Sequence, residues 1–278
     1  MSHHHVLREK LFEIYNYISE NLYLNRSDIE INGRQFNSTL LMSLLTGLSQ
    51  GKELIIGEPG LGKTTSAEYV CALIYRIPLG TIWRAEISGH PEQTEEKIIG
   101  RPDLGKLNQG QEVVLWSYFT LLPTKIVDEL NRLPETKQSM ILDGVDRGKW
   151  EYLNDAIINP EFCFFATANY ADQGTNTIVA PLIDRFDVLV ESKHPGANLA
   201  YRVGTQVTDD MILRSHTLEG EFDRILSSKR SFEERIQKLE KLCDHFGQNI
   251  SKDLGLHTLS RSERQEIRSC TNQVSFDL

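Results

Sequence analysis

The chain has 278 residues, 40% of them hydrophobic, and a formal net charge of −9. An acidic chain gains little from unspecific attraction to phosphate backbones or anionic membranes, so nucleic-acid binding is confined to a local basic patch. No apolar run approaches the roughly 18 residues of a bilayer span, and the four cysteines (Cys71, Cys163, Cys243, Cys270) form neither a zinc pattern nor a disulfide framework.

The start MSHHHVLREK lacks the apolar core of a signal peptide, so a cytoplasmic protein without membrane insertion is expected. Val6, Leu7, Leu11, Ile14, Tyr15 and Ile18 recur at helical spacing over 6–22. A second helical stretch, FNSTLLMSLLTGLSQ, is expected to stop at Gly51. Residues 1–50 therefore read as an N-terminal helical segment, either a separate docking element or one that packs on the core.

Short apolar runs then alternate with helical ones: ELIIG (53–57), TIWRAEI (81–87), TKIVDE (124–129), CFFATAN (163–169) and FDVLVE (186–191). Strands alternating with helices predict an α/β fold, a five-stranded parallel sheet with helices on both faces. After SKHPGAN (192–198) no strand is expected. SFEERIQKLEKLCDHFG (231–247) opens with Ser231 and Glu234 in a capping-box arrangement and aligns Ile236, Leu239, Cys243 and Phe246 on one face. The expected division is the N-terminal segment, a core over 51–200 and a small helical domain over 201–278.

Within that order the run GEPGLGKTT (57–65) carries chemistry. Its glycines and proline are unfit for a helix interior. Gly57, Gly62, Lys63 and Thr64 fit G-x-x-x-x-G-K-[ST] between an apolar strand and a helical segment. The whole run (Gly57, Glu58, Pro59, Gly60, Leu61, Gly62, Lys63, Thr64 and Thr65) is expected to cradle nucleotide phosphates with backbone N–H groups and a positive helix end. Lys63 would reach the β- and γ-phosphates, and the Thr64 hydroxyl would bind Mg²⁺.

A phosphate loop needs a metal ligand and a base for water. KIVDEL supplies Asp128 for Mg²⁺ and Glu129 to orient and deprotonate the attacking water. Asn169, closing the fourth apolar run, offers an amide that can hydrogen-bond both the γ-phosphate and that water.

GEPGLGKTT, IVDELNRLPETKQSMILDGV and FFATANYADQGTNTIVAPLIDRFD, in that order, resemble the MoxR group of AAA+ ATPases. Asn131, Arg132 and Pro134 match its Asn-Arg-x-Pro segment, and Asp184, Arg185 and Phe186 its Asp-Arg-Phe. The resemblance covers about residues 50–192. It implies ATP and Mg²⁺ as cofactors, Asn169 as sensor 1, and Arg185 as an arginine finger reaching the γ-phosphate bound by a neighbouring subunit. It implies a helix-2 insert within 84–120, with a hairpin-like stretch near Gly105 and Gly110. It further implies a C-terminal helical lid in which Arg264 of Ser262-Glu263-Arg264, or else Arg261, is the sensor-2 contact to nucleotide.

The activity so implied is ATP hydrolysis by a homo-oligomer, a hexameric ring, that remodels a protein partner, in this family often one with a von Willebrand A domain. The absence of an Asn-Lys-x-Asp motif favours ATP over GTP. Two alternatives differ in class. A nucleic-acid translocating ring is kept open by Lys97, Arg101 and Lys106 in the insert. A P-loop small-molecule kinase is disfavoured, because it has no use for Arg185 from another subunit.

Overall fold

The structure, a computed structural model, describes residues 3–170, 176–205 and 209–274. The chain opens with α1 (His3–Tyr17), which widens into a π-helical turn (Ile18–Leu22), so the helical run to residue 22 is present. Ile14, Ile18 and Leu22 form its buried face. β1 (Ile29–Ile31) and β2 (Arg34–Phe36) make a small antiparallel hairpin, turned at Asn32 and Gly33, both with positive φ. That Asn-Gly pair is a hairpin signal that the helical reading of 1–50 passed over.

α2 (Ser38–Ser49) starts where the Asn37 side chain accepts the Leu40 N–H, and ends at Gln50 in the left-handed conformation, one residue before Gly51. β3 (Lys52–Ile56) and α3 (Lys63–Tyr75) come next, separated by the glycine loop. The next expectation fails. TIWRAEI (81–87) is not a strand: α4 (Leu79–Ala85) occupies it, leaving only β4 (Ile87–Ser88). Pro78 leads the helix, and Leu79, Ile82 and Ala85 recur every third residue on a buried face. The β-branched and aromatic residues of that run suggested a strand, but helical burial overrides the local preference.

The insert comprises α5 (Glu95–Ile98), β5 (Gly100–Pro102), α6 (Leu104–Leu107), β6 (Val114–Trp116) and α7 (Tyr118–Leu121). β5 and β6 pair antiparallel, with α6 and Gly110 between them. β7 (Thr124–Asp128) leads through a 3-10 turn (Leu130–Arg132) to α8 (Glu135–Arg147). β8 (Lys149–Tyr152) and β9 (Asp155–Ile158) form a second antiparallel hairpin, not anticipated from the sequence, that buries Trp150. β10 (Cys163–Ala168), α9 (Ala180–Ile183) and β11 (Val188–Glu191) complete the core. The C-terminal region is helical: α10 (Ala197–Thr205), a 3-10 turn (Asp209–Met211), α11 (His216–Leu226), α12 (Phe232–Leu254) and α13 (Arg261–Val274).

Five strands form one parallel sheet in the order β11-β3-β10-β7-β4. Leu54, Ile55, Ile126, Val127, Phe164 and Phe165 are almost wholly buried, the pattern of parallel strands covered on both faces. α2 and α3 pack on each other and on the sheet, so α2 builds the same core as the strands. Two charged side chains are buried in this sheet. Lys125 on β7 donates to the carbonyls of Phe119, Thr120 and Leu122. Glu53 on β3 is buried beside the Ser43 and Thr46 hydroxyls, and burial pushes its carboxyl up to about 8 although those hydroxyls oppose the shift. Among the described residues no helix is long and apolar enough to cross a membrane.

Candidate active site

Parallel strands bring all their C-terminal ends to one edge of the sheet, where open α/β sheets bind ligands. β10 lies between β3 and β7. The segments after these three strands are therefore neighbours, although they start at residues 57, 129 and 169.

After β3, Gly60 and Gly62 have φ of +79° and +72°, left-handed values that favour glycine. A Cβ on Gly57 would lie 2.9 Å from the Ser192 carbonyl oxygen. Glu58, Pro59 and Gly60 form an exposed tip, while Leu61, Thr64 and Thr65 are half-buried. The first-turn N–H groups of α3, which begins at Lys63, have no acceptor within the helix. Lys63 Nζ donates to the carbonyls of Gly57 (2.9 Å) and Glu58 (2.7 Å) and to Asn169 Oδ1 (2.9 Å). Burial pushes the Lys63 pKa down, and the nearby Asp128 and Glu129 oppose that shift.

After β7, Asp128 Oδ1 accepts from Thr64 Oγ1 (2.5 Å) and from Thr167 Oγ1 (2.6 Å). A hydroxyl paired with a carboxylate beside a phosphate loop suits Mg²⁺, which takes one or two protein oxygens and fills its octahedron with phosphate and water. Glu129 stands in the left-handed region at φ 51°, which is uncommon for a non-glycine residue. Its N–H is held by Thr167 Oγ1 (2.9 Å). Gly89 presses on it from just past the end of β4: a Cβ there would lie 2.0 Å from the Glu129 carbonyl oxygen.

Asn169 joins the two halves. Its Oδ1 accepts from Lys63, and its Nδ2 donates to Glu129 Oε1 (2.6 Å). The amide orientation is fixed by its neighbours, since an ammonium only donates and a carboxylate only accepts. Asn131 Nδ2 in turn donates to the Asn169 carbonyl (2.9 Å), and Arg132 Nε pairs with Glu129 Oε2 (3.1 Å).

Lys63, Thr64, Asp128, Glu129 and Asn169 are thus together. Arg185 is not: its Nε pairs with Asp146 Oδ1 (2.8 Å) on α8, and its side chain is 46% exposed. Neither sensor-2 candidate reaches the loop within this chain. Arg264 donates to the carbonyls of Ile74 and Leu259. Ile74 lies in the last turn of α3, about 16 Å along the helix from Lys63 at 1.5 Å per residue. Arg261 pairs with Glu161 and Glu240. α13 packs on α2, which explains both placements.

Three residues at the site were missed from the sequence. Thr167, wholly buried, stands out only as a hydroxyl inside the apolar FFATA. Gly89 carries no motif. Tyr23, buried after the π-helical turn, lies over the loop, where a Cβ on Gly62 would be 2.9 Å from its Cε2.

Residues 53–186, just under half of the chain, match the family model for the AAA domain of the dynein-related subfamily. No curated protein matches the chain. Of solved structures, 487 chains match, so the fold is widespread and does not by itself name a partner. One of them, "a putative ATPase" from Cytophaga hutchinsonii, is similar over 95% of this chain and 86% of its own, with a TM-score of 0.54. At 17% identity that likeness is one of fold. The core of this chain thus has the AAA-type fold, and the match to an AAA domain supports nucleotide binding and ATPase activity.

Proposed function

We propose that the chain is an ATP-hydrolysing AAA+ ATPase of the MoxR type. It works as a ring, of six subunits in the family it resembles, and remodels or assembles a protein partner. The partner class implied by the resemblance is the von Willebrand A domain. The reading rests above all on the Asn169 bridge between Lys63 and Glu129. A side chain in contact with both the phosphate lysine and the water base occupies the position from which a γ-phosphate is sensed.

The roles are set by reach and charge. The loop 57–65 and the start of α3 hold the phosphates, and Lys63 exchanges a carbonyl for a phosphate oxygen. Thr64 and Asp128 would hold Mg²⁺, which would supply charge compensation for the phosphoryl group. Glu129 accepts the proton of the attacking water, and Asn169 orients that water. Arg185 serves the neighbouring subunit. Its exposed pairing with Asp146 leaves it presentable at a subunit boundary, and exposed ion pairs are weak enough to exchange. Residues 201–278 act as the lid, and 1–50 support the loop through Tyr23.

The test is to mix two inactive proteins. Lys63→Ala removes phosphate binding, and Arg185→Ala slows hydrolysis by about 10³–10⁵-fold, as for fingers acting in trans. Mixed rings pair an intact Lys63 pocket with an intact Arg185, so partial ATPase activity returns. If mixed rings form, by native mass spectrometry, and stay inactive at every ratio, Arg185 does not act across subunits.

A further inference from the structure

At the opposite edge of the sheet from the phosphate loop lies a cavity of about 360 Å³, between the last turn of α3 and helices α12 and α13. That size lies in the usual range of ligand sites, about 300–1,000 Å³. Its wall is largely apolar, with Leu122, Phe222, Ile236 and Leu239 contributing. Its charged groups are unevenly distributed.

Arg76 is 8% exposed and lines the cavity. It is held in the left-handed conformation at φ 55°, and Gly247 of α12 leaves it room, since a Cβ there would lie 2.2 Å from Arg76 Cδ. Its Nη1 pairs with Asp244 Oδ1 (3.1 Å), but its Nε has no hydrogen-bond partner among the described residues. Beside it, Arg264 is bound only to the carbonyls of Ile74 and Leu259 and lies 5.1 Å over the Tyr75 ring. Among the described residues no carboxylate pairs with it.

The remaining carboxylates of the wall, Glu161 and Glu240, are held by Arg261, and these three side chains are all more than 40% exposed. On the rim one arginine faces two carboxylates, and all three are solvent-exposed, so their charge is screened. The inner wall sets two guanidinium groups against Asp244 alone. A buried donor without an acceptor is costly, and an anion entering the cavity supplies the missing acceptor.

We propose that this cavity is a binding site for a small amphipathic anion, an apolar or aromatic body carrying one carboxylate, sulfonate or phosphate group. The body lies against the apolar wall, and the anionic group meets Arg76 Nε and Arg264. The site shares no residue with the phosphate loop and does not rest on the proposed function.

The experiment is a fluorescence titration of the full chain with 1-anilinonaphthalene-8-sulfonate and with the uncharged N-phenyl-1-naphthylamine. The sulfonate saturates one site and binds at least tenfold more tightly than the amine. Arg76→Gln abolishes that preference. Ile236→Trp, which fills the cavity from α12, weakens both probes tenfold or more while far-ultraviolet circular dichroism is unchanged. Equal affinity for the two probes in the unsubstituted protein overturns the proposal, as does unaltered binding to folded Ile236→Trp. The comparison of probes on the unsubstituted protein decides the matter even where a variant fails to fold.

Discussion

α3 begins in one polar environment and ends in another. Its first turn carries the partial positive charge of the helix, and its last turn the partial negative charge. At the start, Lys63 pairs with Asn169 and Thr64 with Asp128, and each side chain has a partner that a ligand can replace. At the end, Arg264 sits on the Ile74 carbonyl, a cation at the negative end, with an apolar cavity alongside. The start is assembled from loops after adjacent parallel strands, so sheet topology alone brings its parts together. The end of α3 meets helices that begin more than 150 residues later in sequence, and depends on how α12 and α13 pack. The first arrangement suits chemistry, and the second suits attachment.

That contrast can be broken by substitution. The largest effect is expected at Glu129→Gln, whose amide cannot accept a proton. Steady-state ATP hydrolysis should fall by about 10²–10⁴-fold with nucleotide affinity retained. A near-normal rate would mean that the catalytic base lies elsewhere. Gly89→Ala sharpens the contrast, because it alters no chemical group. Its Cβ would meet the Glu129 carbonyl at 2.0 Å, so the base must move. Hydrolysis should drop roughly tenfold to a hundredfold, as small displacements of a catalytic group do, with calorimetric ATP binding little changed.

At the other end of α3, Arg264→Gln should leave ATP affinity within about twofold while lowering unfolding stability by about 2 kcal/mol, the scale of lost charged hydrogen bonds. A large loss of affinity in a ring-forming sample would instead assign Arg264 to a nucleotide bound by another subunit.

The smallest effect concerns Glu53. Its carboxyl is raised to about 8 in the folded chain against an ordinary 4.5, so the folded state binds the extra proton between those values. Stability from this group is therefore complete below about pH 4.5 and is lost as pH rises toward 8. Lys125, lowered to about 7 from 10.5, acts in the opposite sense, and only above about pH 7. Between pH 5 and 7 Glu53→Gln should flatten the fall in the urea midpoint. An unchanged slope would show that Glu53 keeps no proton in the folded state.

The same contrast explains what was legible in the sequence. The phosphate loop, the Asp128-Glu129 pair and Asn169 each close an apolar run, so period and local chemistry located them. The sheet was legible for four of its five runs and misread at 81–87, where β-prone residues lie on a helix. The hairpin of β8 and β9 was hidden because its strands are short and lie within a polar stretch. Thr167, Gly89 and Tyr23 matter through contacts across strands and segments, which no local pattern encodes. The placement of Arg264 was not legible for a related reason. A Ser-x-Arg at a helix start says nothing of which end of the core that helix will meet.

The Asn169 amide has a kinetic consequence. While it clasps both Lys63 and Glu129, the lysine and the base are each occupied by the protein itself. In the proposed reaction Glu129 reaches the attacking water only once the Asn169 Nδ2 gives up its Oε1. The clasp also extends outward. Asn131 holds the Asn169 carbonyl, and the Asn131 carbonyl accepts the N–H of Asn176, on the segment that leads to α9 and Arg185. If Arg185 acts across subunits, as proposed, these hydrogen bonds connect the pocket of one subunit to the stretch of chain that carries the arginine offered to the next. In the proposed ring, three asparagines would link one site to the next without any large domain swing.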